Sequence, residues 1–172
     1  MDRARTPFLD LLEASAALFL EESRGIPDAA WTSMAAADAY QGRWLSLPLA
    51  LGAWQQEFPG LDLAANRRLC PRSARVLDGI EGLVIGGFLR LDPGSELRPH
   101  RDIRDDDVIR AHLALQLPPV EAARWPLFTA RLIDIREQHW AKNESDQPRI
   151  TLMVDVRLSA PILAGEIPPW ND

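Results

Sequence analysis

In two segments of the chain's second half every second residue is apolar, and this period is typical of β-strands. Segment 110–117, RAHLALQL, has leucine at positions 113, 115 and 117, with Arg110 and His112 on the opposite parity. Because successive side chains of a strand point to opposite faces, one face is predicted to be apolar and the other to carry Arg110 and His112. That second face either lines a cavity or meets solvent, as one face of an antiparallel sheet commonly does.

The second alternating segment is RITLMVDVRL, residues 149–158, whose aliphatic residues lie opposite Arg149 and Thr151. Two further runs of strand-forming residues lie at 82–91 and 126–136. Several short strands separated by turn residues predict a sandwich or a barrel for this half of the chain. The register of its strand directs Arg149 to the face opposite the apolar residues, where a buried guanidinium requires an acidic ligand or an acidic neighbour.

The first part of the chain has helical periodicity instead. Residues 7–23 form an amphipathic pattern. Its apolar stripe consists of Phe8, Leu11, Leu12, Leu18 and Phe19. The Ala-rich segment 28–41 predicts a second helix, and segment 71–80 predicts a short helix with a proline in its first turn. Helices gathered in this half could cover one outer face of the β part.

At 172 residues the chain is long enough for one domain with a sizeable core. We divide it into a helical cover at residues 1–42, a β region at 43–163 and an irregular tail at 164–172. Within the β region, segment 43–56 is predicted to form short strands or turns, because Pro48 interrupts its apolar run.

Composition narrows the class of protein. With 47% hydrophobic and 26% charged residues, the chain is typical of globular proteins in solution. A net charge of -6 argues against non-specific binding to nucleic acid, and no window is apolar enough for a membrane span. The single cysteine, Cys70, excludes an intrachain disulfide and suits a reducing compartment. We therefore expect a cytoplasmic protein, and the sequence predicts no oligomeric state.

The segment LDPGSELRPHRD, residues 91–102, holds the main candidate for chemistry. If it is extended, His100 and Asp102 share a face because they lie two residues apart, although a lone His-x-Asp pair is common by chance. His139 could add a third ligand. Two histidines and one carboxylate, with other positions open, are the ligand set of non-haem Fe(II) oxygenases. Arg149 could then bind an acidic co-substrate, because arginine pairs with carboxylates in a bidentate manner.

Short motifs in a fixed order add to this interpretation. They are Trp44 with Leu47-Pro48-Leu49, Gly52-x-Trp54, Cys70-Pro71, Gly87-Phe88, Leu91-x-Pro93-Gly94, Pro99-His100, Arg110-x-His112-Leu113-x-Leu115, Trp125, His139, Asn143-x-Ser145-Asp146-x-Pro148-Arg149 and Asp155-Val156. In the order and spacing of these motifs, the chain resembles the aspartyl/asparaginyl β-hydroxylase family over residues 43–163.

The resemblance implies a double-stranded β-helix, which is a cupin-like jelly roll. It also implies an Fe(II)- and 2-oxoglutarate-dependent dioxygenase that uses O2 to hydroxylate an amino acid, free or within a peptide. His100 and His139 match the family's metal histidines, and Arg149 matches the arginine that pairs with the distal carboxylate of 2-oxoglutarate. Arg110 and His112 match a pair near the metal-chelating end of the co-substrate and the substrate carboxylate.

Three departures from the family pattern affect this expectation. Asp102 stands where the animal enzymes have glycine, so this chain has a full triad of metal ligands, as bacterial proline hydroxylases of the same superfamily do. Leu89 stands where the family has a serine that helps bind the distal carboxylate, so Arg149 should carry more of that binding here. The connection 118–125 is shorter than the β-hairpin of relatives. The last two departures favour the alternative function, a non-catalytic cupin-like module that binds a metal or an organic acid.

The acidic segment 103–108, IRDDDV, follows the candidate metal pair. It is predicted to be either a solvated surface loop or a lid that contacts substrate. Trp140, next to His139, is expected to form part of the wall of the site or of the core. The expected partner is a small-molecule or peptide substrate, and neither nucleic acid nor a membrane is expected.

Overall fold

A computed structural model of the protein describes residues 1, 6–34, 37–52, 60–102, 105–163 and 165–167. Its helices are α1 (Phe8–Ala14), α2 (Ala16–Arg24), α3 (Leu63–Leu69), α4 (Pro71–Asp78) and α5 (Pro119–Ala122). Its strands are β1 (Thr32–Ser33), β2 (Tyr40–Gln41), β3 (Trp44–Ala50), β4 (Leu83–Leu91), β5 (Glu96–His100), β6 (Val108–Gln116), β7 (Ala130–Ile133), β8 (His139–Lys142) and β9 (Arg149–Arg157).

The strands form two antiparallel sheets. The larger sheet has the order β1-β3-β4-β9-β6-β7 and the smaller one the order β2-β5-β8. From β4 onward the chain alternates between the sheets. Strands β4, β6, β7 and β9 belong to the larger sheet, whereas β5 and β8 belong to the smaller one. This is the mainly β, jelly-roll arrangement with N-terminal helices that the sequence predicted.

The outer face of the larger sheet packs under the helices. Leu113 and Leu115 of β6 are fully buried in one core cluster with Leu12 of α1 and Phe19 of α2, and both helices contact β6. The ring of Phe19 meets that of Phe88 edge-on, with centroids 6.4 Å apart. The predicted apolar face of segment 110–117 is therefore confirmed within β6, which ends at Gln116.

The predicted helix at residues 7–23 is divided into α1 and α2. Ser15 separates them with backbone angles φ -97° and ψ 2°, outside the α-helical range. Leu12 and Phe19 are buried as the stripe predicted, whereas Leu11 is exposed. The first elements thus cover the sheet as two short helices.

The predicted helix at residues 28–41 is wrong. Residues Asp28–Ala30 and Ala37–Ala39 form single 3-10 turns. Between the two turns β1 pairs with β3, and directly after the second turn β2 pairs with β5. Because two sheet edges offer backbone partners, strand pairing overrides the helical propensity of alanine here. The region 1–42 is therefore not only a helical cover, since it contributes an edge strand to each sheet; residues 35–36 lie outside the described part.

Segment 43–56 contains one strand of seven residues, β3, which continues through Pro48. The pairing of β3 with β4 shifts register between Pro48 and Ala50, and such an irregularity accommodates a proline that cannot donate a hydrogen bond. Opposite Pro48 lies Gly87, where a Cβ would stand 2.5 Å from the carbonyl oxygen of Leu47, so only glycine fits. Residues 53–56 lie outside the described residues.

Two consecutive helices, α3 and α4, lie between β3 and β4 in the chain. The helix at 71–80 is confirmed as α4, whereas α3 was not predicted; Asp62 caps it by accepting a hydrogen bond from the Ala65 amide at 2.8 Å. In the tail, described residues 165–167 form no helix or strand. None of the described helices is long and apolar enough to cross a membrane.

Candidate active site

The inner faces of the two sheets enclose a cavity of about 380 Å³. Its polar wall consists of His100 and His139 from the smaller sheet, Asp102 just beyond β5, Arg110 and His112 from β6, and Arg149 from β9. All six candidate residues from the sequence therefore face one space. The polar face of β6 lines a cavity and does not meet solvent, which decides between the two alternatives left open for Arg110 and His112.

Three of these side chains converge closely enough to hold a metal ion. His100 and His139 are cross-strand partners of β5 and β8, and their rings lie 4.2 Å apart between centroids. Asp102 joins them, with its Oδ1 3.7 Å from His100 Nε2. One ligand atom from each residue lies within 4.8 Å of the other two. Two imidazoles and a carboxylate suit Fe(II), so the donor set fits the metal that the sequence suggested.

Backbone hydrogen bonds set the tautomers of both histidines. Nδ1 of His100 lies 2.8 Å from the carbonyl oxygen of Arg98, and Nδ1 of His139 lies 3.1 Å from that of Glu137. Because a carbonyl oxygen only accepts, both Nδ1 atoms carry the proton, and Nε2 is left as the ligand atom. The repeated contact with the residue two positions earlier fixes both rings in the same way.

Asp102 is held ionised by a buried charge network. Nη1 of Arg110 donates to its Oδ2 at 2.5 Å, while Nε and Nη2 of Arg110 donate to both oxygens of Asp155 at 2.7 and 2.9 Å. Burial opposes the ionisation of Asp102, but the positive charge of Arg110 and its hydrogen bond outweigh this effect and lower the pKa of Asp102. The Asp102 carboxylate is thus available as a ligand at neutral pH.

Burial keeps two imidazoles of the cavity neutral. It lowers the pKa of His139, although the backbone hydrogen bond to Glu137 opposes this effect. Burial also lowers the pKa of His112 well below the ordinary histidine value, assisted by the positive charges of Arg110 and Arg149. A neutral imidazole is the form that ligates a metal or accepts a hydrogen bond from a ligand.

Arg149 begins β9 and lines the cavity. Its side chain is only 6% exposed, and it pairs with the half-buried Glu121 of α5 at 2.9 Å. The guanidinium carbon also lies 5.7 Å from the ring centre of Trp125. The acidic neighbour expected for a buried guanidinium is therefore present, and it comes from the short connection 118–125.

Leu89, which the sequence analysis named as a departure from the family pattern, lines the cavity. It pairs across the sheet with Thr151 of β9. Position 89 therefore contributes an apolar side chain to the cavity wall.

Apart from Thr32, Ser33 and Ser46, the rest of the cavity wall is apolar. The sequence did not reveal this because the lining residues come from many elements. The apolar part includes Met34, Trp44, Pro48, Leu51, Leu61, Ile85, Leu91, Leu97, Ile133, Trp140 and Met153. Trp140 is half exposed and lines the cavity. It therefore belongs to the wall of the site, which was one of the two positions expected for it, and not to the core. This lining suits an apolar ligand next to the polar end.

The acidic segment after the metal pair forms surface ion pairs. Asp105 and Asp107 pair with Arg157 at 2.9 and 2.5 Å, and Asp106 pairs with Arg136 at 3.3 Å. The Asp105 side chain is 71% exposed. The described part of this segment therefore agrees with the surface-loop alternative, while residues 103–104 lie outside it.

Two residues that bind the cavity arginines were not singled out from the sequence. Asp155 appeared only in the motif order, yet it bonds to Arg110 of the neighbouring strand. Glu121 lies in the connection 118–125, of which the sequence analysis noted only the short length and Trp125. The parity of Asp155 with Arg149 along β9 was a usable signal for its direction, whereas nothing in the local sequence indicated a role for Glu121.

Comparison with known proteins identifies the family. The model of the family described as Aspartyl/Asparaginyl beta-hydroxylase matches residues 13–158. The chain belongs to this family. The match begins within α1, N-terminal to the range 43–163 over which the motifs carried the resemblance, and it ends at residue 158. The family that the motifs predicted is therefore confirmed, and it is a family of hydroxylases.

Two individual proteins are similar to this hydroxylase-family chain. An ornithine lipid ester-linked acyl 2-hydroxylase of Rhizobium tropici is 28% identical over 106 residues, which are 56% of this chain and 37% of that protein. The match thus spans little more than a third of the relative's length. A crystal structure of a Pseudomonas putida prolyl-4-hydroxylase is 19% identical, with a TM-score of 0.40 over 86% of each chain.

Proposed function

We propose that this chain is an Fe(II)- and 2-oxoglutarate-dependent hydroxylase whose metal ligands are His100, Asp102 and His139. The observation that carries the proposal is the convergence of their three ligand atoms within 4.8 Å, in a cavity that the buried Arg149 also lines. A metal site with open positions and a cation in the same cavity suit a co-substrate that chelates at one end and carries a carboxylate at the other. Membership of a hydroxylase family supports the same reaction class.

When bound, Fe(II) would supply the oxidising chemistry, in which 2-oxoglutarate and O2 become succinate and CO2 and the second oxygen atom becomes the substrate hydroxyl. The protein's own groups bind and orient. Arg110 keeps Asp102 ionised, and Arg149 would receive the distal carboxylate of 2-oxoglutarate. His112, held neutral beside Arg110, can accept or donate one hydrogen bond at the polar end. The apolar walls exclude water from the reacting groups.

The substrate proposed from the family is an amino acid, free or within a peptide. Among the described cavity residues, the only permanent cations are Arg110 and Arg149. Arg110 already binds Asp102 and Asp155, and Arg149 is reserved for the co-substrate. A free amino acid would therefore find no unengaged cation for its carboxylate in this wall, which favours a side chain presented within a peptide.

A second candidate substrate is an acyl chain. The apolar wall around Trp44, Ile85 and Met153 suits a hydrocarbon better than a polar side chain. The similarity to an acyl 2-hydroxylase supports the same class. In both cases the reaction inserts one oxygen atom into a C–H bond, so the two candidates differ only in what occupies the apolar wall.

Succinate formation tests the reaction, and mass spectrometry tests the substrate. The purified protein with Fe(II), 2-oxoglutarate and O2 should form succinate, and His139→Ala should not. One panel would hold peptides with aspartyl, asparaginyl or prolyl residues, and another a saturated long-chain acyl ester in detergent micelles. Compounds of the correct substrate class should gain one oxygen atom, and the amount of hydroxylated product should match the amount of succinate formed. Binding of 2-oxoglutarate without any succinate in all arms would favour the non-catalytic module instead.

A further inference from the structure

The guanidinium of Arg149 is held from behind by one short segment of the chain. Glu121 accepts hydrogen bonds from Nε of Arg149 at 2.9 and 3.1 Å and from Nη2 at 2.9 Å. The ring of Trp125 lies beside the same group, 5.7 Å from Cζ. Glu121 and Trp125, which we call the arginine clamp, lie four residues apart in the connection that replaces the longer hairpin of relatives.

Glu121 occupies only one of the two edges by which an arginine binds a carboxylate. A guanidinium has five N–H donors in a fixed fork, and a carboxylate fits either the Nε–Nη2 edge or the Nη1–Nη2 edge. All three contacts with Glu121 use the first edge. Arg149 lines the cavity, whereas Glu121 is not among the lining residues. The second edge is therefore left for a ligand that enters from the cavity.

The arginine clamp is itself rigid. The carbonyl oxygen of Glu121 accepts backbone hydrogen bonds from Arg124 at 2.9 Å and Trp125 at 2.8 Å. Nε1 of Trp125 donates to the carbonyl oxygen of Thr129 at 3.0 Å, and the Trp125 side chain is fully buried. One short turn thus fixes both the carboxylate and the ring against which Arg149 rests.

We infer that Glu121 is the positioning residue of the co-substrate site: it fixes Arg149 so that the Nη1–Nη2 edge receives the distal carboxylate of 2-oxoglutarate. This inference rests on the proposed function, which assigns that carboxylate to Arg149. An arginine held in its binding geometry loses less conformational freedom when the ligand arrives. Glu121 thereby contributes to a site in which Leu89 offers no hydroxyl.

The opposite role for Glu121 would be that of a competitor. If the distal carboxylate needed the Nε–Nη2 edge, Glu121 would have to leave before 2-oxoglutarate could bind. Removing the Glu121 carboxylate would then tighten binding, whereas removing a positioning residue weakens it. The sign of the change in affinity therefore distinguishes the two roles.

Binding of two ligands to the Fe(II)-loaded protein, measured by calorimetry without oxygen, isolates the contact at Arg149. The ligands are 2-oxoglutarate and 2-oxopentanoate, which has the same chain and chelating end but lacks the distal carboxylate. We expect Glu121→Ala to weaken 2-oxoglutarate binding about tenfold, equivalent to about 1.4 kcal/mol, and to leave 2-oxopentanoate unchanged. Glu121→Gln keeps one acceptor oxygen and should lose less.

Kinetics and a matched control complete the test. Glu121→Ala should raise KM for 2-oxoglutarate while kcat at saturating co-substrate stays unchanged. Val120→Ala, on the same turn but 75% exposed, should change neither. Because the ratio of the two affinities is measured on one protein sample, partial unfolding of a variant does not alter it.

Each outcome bears on a distinct claim. An unchanged ratio in Glu121→Ala, or tighter binding of 2-oxoglutarate, overturns the positioning role while leaving the proposed function intact. A wild-type protein that binds both ligands equally overturns the assignment of the distal carboxylate to Arg149, and with it the proposed co-substrate site. A selective loss for 2-oxoglutarate alone supports the positioning role.

Discussion

At the scale of single residues, the cavity matches its buried permanent charges with opposite ones. Arg110 bonds to Asp102 and Asp155, and Arg149 bonds to Glu121. A buried charge that loses its partner costs several kcal/mol, about 3–5 in measured cases. Both ion pairs are therefore expected to stabilise the fold. Arg149 can in addition bind a ligand, because Glu121 uses only its Nε–Nη2 edge.

Replacing Arg149 should weaken co-substrate binding without removing the metal. Loss of a buried ionic partner costs about 3–5 kcal/mol, or roughly two to three and a half decades in affinity. Calorimetry with 2-oxoglutarate should show this loss in Arg149→Ala, while Fe(II) stays bound in stoichiometric amount. Arg149→Lys should recover only part, because lysine cannot form the bidentate contact.

The control for Arg149 is Arg131→Ala. The Arg131 guanidinium also lies near the ring of Trp125, 5.5 Å from its centre, but Arg131 does not line the cavity. Its loss should leave 2-oxoglutarate affinity unchanged. If Arg149→Ala binds and turns over 2-oxoglutarate like the wild type, the co-substrate site lies elsewhere and Arg110 is the first alternative.

Thr151→Val should stabilise the protein. Oγ1 of Thr151 is buried and has no hydrogen-bond partner within the described part of the chain. Its cross-strand neighbours, Leu89 and Ala114, are apolar. Removing an unsatisfied buried hydroxyl without changing shape should gain about 1 kcal/mol, which raises Tm by roughly 2–4 °C in a domain of this size.

Thr151→Ser is the matched comparison for thermal unfolding. It keeps the hydroxyl but deletes a buried methyl group, so it should destabilise by about 1 kcal/mol. A lower Tm for Thr151→Val than for the wild type would contradict the prediction, because it would mean that the hydroxyl makes a favourable hydrogen bond.

At the scale of elements, the sequence predicted those parts whose pattern is local. Period-two alternation gave β6 and β9 with their correct faces, and with them the direction of Arg110 and Arg149. Helical propensity failed at 28–41 because two sheet edges compete for that backbone. Glu121 could not be predicted, since its partner lies 28 residues away and only the folded chain brings them together.

Glu22 of α2 should make stability depend on pH through α4. Its oxygens accept the backbone N–H groups of Arg72 and Ser73 in the first turn of α4 at 3.1 and 2.8 Å, where the N-cap residue Cys70 offers no side-chain bond. Burial opposes ionisation of Glu22, but hydrogen bonds from Ser73 and Arg72 outweigh it and lower its pKa from the ordinary value of 4.5. Glu22→Gln should therefore cost about 1 kcal/mol at neutral pH.

The sign of the pH dependence follows from linkage. A carboxylate whose pKa is lower in the folded state stabilises that state fully above its unfolded pKa, and the effect is lost as pH falls through the folded value. Denaturant unfolding at several pH values should show the difference between wild type and Glu22→Gln shrinking below about pH 4.5. Glu21→Gln is the control, because the exposed carboxylate of Glu21 contacts the side chain of Arg72 at 2.9 Å and not the N–H groups of the first turn of α4. A difference that stays constant through the acid range would exclude Glu22 as the titrating group.

At the scale of the whole molecule, the candidate active site joins the two sheets. His100, His139 and Asp102 come from the smaller sheet and the residues just beyond it, whereas Arg110 and Asp155 come from the larger one. The ion pair between Arg110 and Asp102 connects the two sheets. An ion held by the three candidate ligands would therefore be coupled through Asp102 to the core of the larger sheet.

Metal binding should consequently stabilise the entire domain, and this effect should depend on the triad. A ligand present at a hundred times its Kd stabilises the folded state by about 2.7 kcal/mol, which corresponds to a Tm increase of roughly 5–10 °C here. Thermal unfolding with Fe(II) under anaerobic conditions, or with Mn(II) as an air-stable substitute, should show this increase, and a chelator should reverse it. His139→Ala should abolish it. His112→Asn alters another imidazole of the same cavity, outside the triad, and should retain it. An increase that persists in His139→Ala would place the metal elsewhere, because two remaining ligands would not hold it at this concentration.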